Sequence, residues 1–295
     1  MRVGIGISPH VVDNVTEWAR RSEQRSFATL GVLDRLIYFA PDPLITLAAA
    51  AGATSHIRLQ TEVLLAPLRN TAILAKEIAS LDRISGGRLV LGLGVGNFRG
   101  QRYDDYHAAG VSLRTRGRRL DEQIGHLRRI WAGEPFDDQT APIGPHPSRS
   151  SGPEVLLGAF SAPAIARIAR WGTGFLAAGP PNYVQFLVSE VRKEWHAAGR
   201  AGMPRVVVHC YVALGDDDVI SDARSTLTGY YSYLDDASRI AEYMVDTPEL
   251  LRTVVAQYAA LGADEVICFC WARDPDQIDR IADTLQIGPE GSITE

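Results

Sequence analysis

Short runs of apolar residues recur along the chain and alternate with stretches whose apolar residues have helical spacing. Most runs are nearly continuously apolar, which is typical of parallel strands that are covered on both faces. The eight runs span residues 2–8, 27–33, 57–63, 88–93, 154–158, 174–178, 205–213 and 265–271. Eight strands separated by helices favour an α/β fold of the (β/α)8 barrel type, while a doubly wound open sheet has the same alternation.

The segments between the strands carry the patterns expected of helices. Two of them have an apolar stripe, formed by Leu120, Ile124, Leu127 and Ile130 in one and by Val184, Leu187, Val188, Val191 and Trp195 in the other. Thr247 and Asp274 each stand directly before a proline. This arrangement favours a helix start, because a capping side chain precedes a residue that has no N–H to leave unpaired.

Two connections are longer than the others and predict insertions after the fourth and seventh strands. Residues 137–152 in the first are dense in Pro, Gly and Ser and predict an irregular surface loop. Residues 228–246 in the second contain four tyrosines among acidic residues. We interpret this segment as a loop or helix over the barrel mouth, or as a contact with another subunit. A barrel of this size is expected to be one domain, spanning residues 1–295.

Composition and charge exclude several classes of function. The net charge of -5 comes from acidic and basic residues that are mixed along the chain, so no basic face for nucleic acid is expected. No apolar run approaches the ~20 residues that span a bilayer, and the amino terminus lacks the features of a secretory signal. The histidines and cysteines have no metal-binding spacing. We therefore expect a cytoplasmic protein whose partner is a small molecule, with no metal, nucleic acid or membrane.

The glycine-rich run GLGVGN at the fourth strand does not predict a dinucleotide site. Such a site needs a third glycine at the position of Asn97, and no acidic residue follows a second strand at the expected distance. Gly92, Gly94 and Gly96 are interpreted as making room for a flat ring system that approaches the backbone. The alternative is that they allow tight packing within the barrel.

The stretch from Ile57 to Asn97, IRLQTEVLLAPLRNTAILAKEIASLDRISGGRLVLGLGVGN, is the most specific part of the sequence. It resembles the bacterial luciferase-like family of flavin- and deazaflavin-dependent oxidoreductases, which share a similar strand, the helix pattern AKE.A.LD, the turn SGGR and the strand GLGVG. The resemblance extends to RGRRLDEQI, to the turn and helix from Gly158 to Trp171, and to the final GADEVICF. It implies reduced FMN or reduced coenzyme F420 at the carboxyl ends of the strands, and a homodimer.

The resemblance also implies where the cofactor ring lies. At the end of the third strand it places a bulge with a non-prolyl cis peptide, by position Glu62-Val63, which supports the ring from behind. Thr61 would offer its hydroxyl to the ring. Gly94 and Asn97 lie at the end of the fourth strand, and Asn97 can hydrogen-bond the ring. Certain deazaflavin-dependent relatives have a glutamate proton donor at position 97, and an amide cannot replace it as an acid.

The turn after the fifth strand predicts a phosphate site, formed by Gly158, Ala159, Phe160, Ser161 and Ala162. Free backbone N–H groups and the dipole of the following helix attract an anion, and Ser161 can add a hydroxyl donor or simply cap the helix. The resemblance implies cofactor phosphate at the same turn. Some relatives hold it with acidic and arginine side chains, but the matching positions here are Phe160 and Val95. This neutral turn favours F420 over FMN.

Three charged residues are candidates for catalysis, namely Asp34, Arg35 and Glu62. Relatives often have an acidic residue followed by a proton-transferring His at the end of the second strand, but an arginine stays charged. Arg35 would therefore hold an anionic group of substrate or cofactor, or else pair with Asp34. Glu62 is alternatively the salt-bridge partner of an arginine such as Arg69.

The function expected from these residues and from the resemblance is hydride transfer to, or monooxygenation of, a small organic substrate. Two alternatives stay open at this point. One is a barrel that binds a ligand or partner without redox catalysis. The other is a non-redox lyase or hydrolase, which needs a pair of carboxylates such as Asp34 and Glu62 near the mouth.

Overall fold

Eight parallel strands form a closed barrel in the part of the chain that the computed structural model describes, residues 1–96, 103–235 and 237–293. They are β1 (Arg2–Gly6), β2 (Thr29–Val32), β3 (Arg58–Thr61), β4 (Leu89–Leu93), β5 (Glu154–Gly158), β6 (Gly174–Ala178), β7 (Arg205–Val212) and β8 (Glu265–Cys270). Each strand pairs with the next, and β1 also pairs with β8 in the register Ile5 to Cys268. The barrel prediction is confirmed, and the open sheet is excluded because no edge is left.

Helices connect the strands on the outside of the barrel. Those in the described residues are α1 (Val15–Gln24), α2 (Pro43–Ala53), α3 (Thr71–Ile84), α4 (Tyr103–Ala108), α5 (Arg116–Trp131), α6 (Ala162–Trp171), α7 (Pro181–Ala197), α8 (Asp217–Tyr230), α9 (Ala237–Glu242), α10 (Pro248–Ala260) and α11 (Asp276–Leu285). The two predicted apolar stripes lie buried on α5 and α7. Across these described segments, the structure contains no helix with the length and hydropathy of a membrane span.

The predicted helix starts are confirmed by their caps. The Thr247 side chain accepts a hydrogen bond from the N–H of Leu250, at the beginning of α10. The Asp274 carboxylate accepts a hydrogen bond of 2.9 Å from the N–H of Asp276, where α11 begins. In both cases the side-chain oxygen satisfies an amide that has no partner inside the helix.

Both predicted insertions are present. After β4 the chain forms α4 and α5, and then residues 137–152 run without a helix or strand. After β7 it forms α8, α9 and α10 before returning to β8. The ring of Tyr230, at the end of α8, lies with its centroid 5.3 Å from that of Trp271, directly after β8. The tyrosine-rich segment therefore packs over the barrel mouth, as one of the two interpretations predicted.

The strands are apolar along their whole length because both of their faces are buried. Residues that point outward, such as Leu91 and Val208, pack against the helices, while Val90, Val207 and Phe269 point inward and fill the barrel. Successive side chains of a strand face opposite sides, so a strand in this position needs apolar residues at both. The three cysteines are free and buried, and burial raises the pKa of the Cys210 thiol to about 12.

The amino ends of the strands carry an ion-pair cluster. Arg205 at the start of β7 hydrogen-bonds Glu154 of β5 at 2.7 Å and Glu265 of β8 at 2.5 Å. Glu265 is fully buried, so it needs this partner to offset the loss of its hydration. Charge at this end is matched within the barrel wall, and the chemistry of interest lies at the opposite end, as barrel enzymes require.

The carboxylate of Glu23 in α1 fixes the loop before β3 by hydrogen bonds to its backbone. Its carboxylate accepts hydrogen bonds from the N–H groups of Ser55, His56 and Ile57, at 2.9, 2.7 and 2.9 Å. Burial alone would raise the pKa of Glu23, but the hydrogen bonds from Ile57, His56 and Ser55 outweigh burial and lower it. We expect Glu23→Gln to reduce the free energy of unfolding by about 1–2 kcal/mol at pH 7, measured by urea denaturation.

The pH dependence of this effect has a definite sign. Because the pKa of Glu23 is lower in the folded state, its carboxylate stabilises the fold fully above the unfolded value of ~4.3. That contribution is lost as the pH falls through the folded pKa, so the two proteins should converge in acid. Glu17→Gln, at an exposed position of the same helix, serves as the control. A difference that stays constant down to acid pH would contradict the assignment.

Candidate active site

The end of β2 is tied to the connection after β3 by the carboxylate of Asp34. This buried side chain accepts hydrogen bonds from Arg69 at 2.6 and 3.2 Å and from the N–H of Leu65 at 2.8 Å. Arg69 therefore does not pair with Glu62, and Asp34 does not pair with Arg35, so both of those alternatives are wrong. The contacts commit Asp34 to positioning the loop that follows β3.

Arg35 already has an anionic partner within the protein. Its Nε lies 3.3 Å from Oδ2 of Asp105, and both side chains are buried. The guanidinium also lies 5.2 Å from the ring centroids of Tyr230 and Tyr233 and 5.6 Å from that of Tyr38. These rings favour a cation and exclude water from it. Arg35 thus has Asp105 as an anionic partner within the protein, and its role toward an anionic group of substrate or cofactor stays a prediction.

Glu62 follows β3 and turns its side chain into the barrel. The peptide bond between Glu62 and Val63 is cis, as predicted. The Glu62 carboxylate is fully buried, with Oε1 accepting a hydrogen bond from Nε2 of Gln60 and Oε2 paired with Nε2 of His209 on β7. A Cβ atom at Gly31 would lie 2.9 Å from Cγ of Glu62, so the glycine leaves the space that this side chain occupies.

His209 is the site residue that the sequence analysis missed. It stands in β7, in register with Ala178 of β6, and its ring centroid is 6.1 Å from that of Phe269. The side chain of His209 is 9% exposed, whereas that of its partner Glu62 is 0% exposed. The imidazole is therefore the accessible member of the pair. A polar residue at an inward position of the apolar run RVVVHCYVA was the signal that could have found it.

The close approach of β3 and β4 explains the glycines of the fourth strand. The Thr61 hydroxyl donates a hydrogen bond of 2.7 Å to the carbonyl oxygen of Gly92, and Thr61 is fully buried. The donor of the Thr61 hydroxyl is therefore used within the barrel, and its contact with the cofactor ring stays a prediction. A Cβ at Gly92 would lie 2.0 Å from the Thr61 carbonyl oxygen, and one at Gly94 would lie 2.3 Å from Cγ2 of Val63. Both glycines serve packing, as the alternative interpretation held.

The turn after β5 leaves donors open at the start of α6. Ser161 has an extended backbone, and its hydroxyl makes no capping hydrogen bond, so the interpretation as a simple N-cap is not supported. Ser161 and Ala162 are exposed, as is Phe160, while Ala159 is buried. Exposed donors at the amino end of a helix suit an anionic group. The predicted ligand Asn97 lies outside the described residues.

Aromatic rings line the other side of the mouth. His10, after β1, is stacked on Tyr38 with its Nε2 3.0 Å from the phenol oxygen. Burial lowers the pKa of His10, and the charge of Arg273 lowers it further, which favours the neutral ring. The hydroxyl groups of Tyr211 on β7 and Tyr231 after α8 lie 2.6 Å apart. The polar atoms on this side therefore bond mostly to one another and leave an apolar, aromatic surface.

The mouth therefore has two unlike sides and a polar floor. The side formed by β3 to β5 contains the close-packed glycines Gly92 and Gly94, and β5 leads into the turn at Ser161. The side formed by β7, β8 and the insertion after β7 is aromatic. The pair of Glu62 and His209 lies between them.

Comparison with known proteins places the chain in one protein family. The family described as luciferase-like monooxygenase matches residues 1–265, and the chain belongs to this family. An uncharacterized protein of Mycobacterium tuberculosis is 31% identical over 173 residues, which cover 56% of this chain and 60% of that protein. The chain thus spans less than two thirds of the length of this curated relative.

Two solved structures show the same fold. An F420-dependent secondary alcohol dehydrogenase, in complex with an F420-acetone adduct, has a TM-score of 0.77 at 15% identity and covers 97% of this chain and 98% of its own. The oxygenating constituent of 3,6-diketocamphane monooxygenase from Pseudomonas putida, in complex with FMN, has a TM-score of 0.73 at 18% identity, covering 97% and 96%. At these identities the likeness establishes the fold alone.

The contact between β3 and β4 can be tested with two matched substitutions. A methyl group added at Gly94 meets the stiff Val63 side chain at 2.3 Å, whereas one added at Gly158 meets it at 3.4 Å. We expect Gly94→Ala to reduce the free energy of unfolding by about 1–3 kcal/mol through overpacking, and Gly158→Ala to change it by less than about 0.5 kcal/mol. Urea denaturation of both variants gives the comparison. Equal stabilities would show that Val63 moves freely and that the packing explanation is wrong.

Proposed function

We propose that this protein is an oxidoreductase that uses reduced F420 or reduced FMN for hydride transfer to, or monooxygenation of, a small organic substrate. The observation that carries the proposal lies at the mouth of the barrel, where the half-buried Val63 follows the cis peptide after β3. A Cβ atom at Gly158, the last residue of β5 before the turn at Ser161, would lie 3.4 Å from Cγ1 of Val63. The family membership supports the same class of chemistry. The bound cofactor would supply the hydride or the oxygen activation.

The residues of the mouth fit such a cofactor. Val63 and Gly158 would form the support for the ring, since a Cβ atom added at Gly158 would already reach van der Waals distance of Val63. The turn from Ala159 to Ala162 would receive the phosphate through exposed backbone donors and the Ser161 hydroxyl. Gly94 would act indirectly, because it leaves the space that the Val63 side chain occupies. The role of Asn97 stays a prediction. The aromatic side would orient the substrate and exclude water from it.

The uncharged residues at the turn proposed for the phosphate support F420 over FMN. Phe160 and Val95 stand where some relatives have charged side chains for the phosphate, and the Val95 carbonyl is engaged by the Tyr106 hydroxyl at 2.7 Å. The site therefore relies on neutral donors. A lyase or hydrolase that uses two free carboxylates is disfavoured, because Asp34 is bound to Arg69 and Glu62 to His209.

Ser161→Asp tests both the cofactor and its placement. The wild-type protein is expected to bind one of the two reduced cofactors saturably, as followed by absorbance and fluorescence titration. An aspartate at position 161 places a negative charge where the phosphate would lie, so the dissociation constant should rise about 10-fold or more. The variant should keep its melting temperature, because aspartate is a good N-cap and Ser161 forms no capping bond that could be lost.

Ser161→Ala is the matched control for that variant. It removes only one neutral donor, and we expect about a threefold loss of affinity. If Ser161→Asp binds as tightly as the wild type, the phosphate is not held at this turn. If neither FMN nor F420 binds the wild type at high micromolar concentration, the proposed function is wrong and a barrel without redox catalysis replaces it.

The proposed enzyme is a homodimer, and one surface supports this. Ile45 of α2 and Ile73 and Ile84 of α3 are 73, 59 and 64% exposed around a groove of about 380 Å³. Large exposed apolar side chains in one patch are typical of an interface, here with a second copy of the chain. We expect Ile73→Glu to convert a dimer to a monomer in light scattering at about 20 µM, because it buries an unpaired charge.

The control for the interface is Met203→Glu, at a residue that is 71% exposed and distant from the patch. This variant should stay dimeric. A wild-type protein that is monomeric throughout the micromolar range would refute the proposed dimer, and it would leave the proposed cofactor site untouched.

A further inference from the structure

We propose that His209 is the acid–base residue of the site, exchanging a proton with the hydroxyl or carbonyl oxygen of the substrate, and that Glu62 and Gln60 are its positioning residues. This inference rests on the proposed function, since it concerns a reaction at the same mouth. It assigns roles to side chains from β3 and β7 that meet across the barrel.

The polar groups first expected to act in catalysis are already engaged. Asp34 accepts three hydrogen bonds, from Arg69 and from the backbone of Leu65. Arg35 is paired with Asp105 and cannot give up a proton at a working pH. Among the described residues that end the second and third strands, these contacts leave no charged group free to exchange a proton with a substrate.

The hydrogen bonds around Glu62 determine the tautomer of His209. Oε1 of Glu62 accepts from the Gln60 amide, and a carboxylate oxygen at Oε2 also accepts. The proton of the neutral imidazole must therefore lie on Nε2, where it is donated to Glu62. The lone pair is then on Nδ1, the nitrogen that remains for a substrate. A carboxylate paired in this way also stabilises the imidazolium that forms when Nδ1 takes a proton.

His209 is more exposed than the two residues that position it. The Glu62 side chain has no exposed surface and Gln60 is fully buried, whereas the His209 side chain keeps 9% of its surface exposed. Among the contacts of the described residues, Glu62 is the charged group paired with His209, and the Phe269 ring, Ala178 and Ile267 lie beside the histidine. The imidazole is the member that a substrate in the mouth can contact.

The proton step balances within these groups. When an alcohol is oxidised, its O–H bond breaks, the proton goes to Nδ1 of His209, and the electron pair of that bond becomes part of the carbonyl of the product. The C–H hydrogen would leave with its two electrons, and a bound oxidised flavin or deazaflavin would supply the two-electron acceptor. In the reverse direction His209 returns the proton to the oxygen of the carbonyl.

The first experiment measures the tautomer without any cofactor. In ¹⁵N-histidine-labelled protein, the ring nitrogens of His209, assigned by loss of their signals in His209→Gln, should show a protonated Nε2 and an unprotonated Nδ1 at neutral pH. Glu62→Gln should shift this pattern toward the mixture found in exposed histidines such as His196. An Nδ1-protonated ring in the wild type, or no response to Glu62→Gln, would overturn the positioning role.

The second experiment measures turnover and binding separately. Wild type, His209→Gln and the surface control His196→Gln are loaded with oxidised F420 or FMN, whichever binds, and mixed with propan-2-ol, cyclohexanol or 1-phenylethanol. We expect His209→Gln to bind the cofactor within about twofold of the wild type but to lose about 100- to 10,000-fold in turnover, with His196→Gln unchanged.

Each outcome of that experiment decides between the two claims. If the cofactor does not bind the wild type, the proposed function fails. If the cofactor binds but His209→Gln turns over within threefold of the wild type, only the role of His209 is wrong. Binding without turnover of any of the three alcohols, or of acetone and cyclohexanone with the reduced cofactor, would overturn the assignment of a hydroxyl or carbonyl group as the partner of Nδ1.

Discussion

The buried carboxylate of Glu62 is the constraint around which the mouth of this barrel is organised. A charge that is moved from water to the interior costs several kcal/mol unless other groups replace its hydration. Gln60 and His209 do so, one on the same strand and one on β7. Pairing across the barrel requires an empty position beneath the side chain, which Gly31 provides. The polar floor and the pairing of Glu62 with His209 across the barrel follow from this one requirement.

The same requirement governs the other charges near the mouth. Asp34 is matched by Arg69, and Arg35 is matched by Asp105, each from a different connection of the barrel. These pairs join loops that are far apart in sequence, so they shape the mouth more than they add to its charge. Among the described residues, the mouth offers a ligand backbone donors at the start of α6, aromatic rings after β7 and β8, and the imidazoles of His10 and His209. Such a lining suits chemistry in which a cofactor brings the reactive group.

The fold could be predicted from the sequence because eight apolar runs alternate with helical segments, and eight is the number of strands in a (β/α)8 barrel. The cis bond at Glu62-Val63 followed from the family resemblance. The ion-pair partners of the charged residues could not be predicted, because residues that are adjacent in sequence need not pair in the folded protein. Consecutive side chains of an extended chain point to opposite sides, so Asp34 and Arg35 were unlikely neighbours in space. The pairs Asp34–Arg69 and Arg35–Asp105 depend on the positions of the loops in the folded barrel.

His209 shows why the rest of the site was hidden. It belongs to no motif, and its partner is 147 residues away in the chain. Only closure of the barrel brings β7 opposite β3, so the meaning of a histidine inside an apolar strand is a property of the tertiary structure. A buried polar side chain on a strand is costly unless it is paired, and that cost is itself information. In a barrel, an inward polar position in the carboxyl half of a strand is therefore the first place to look for the chemistry, ahead of charged residues on the loops above it.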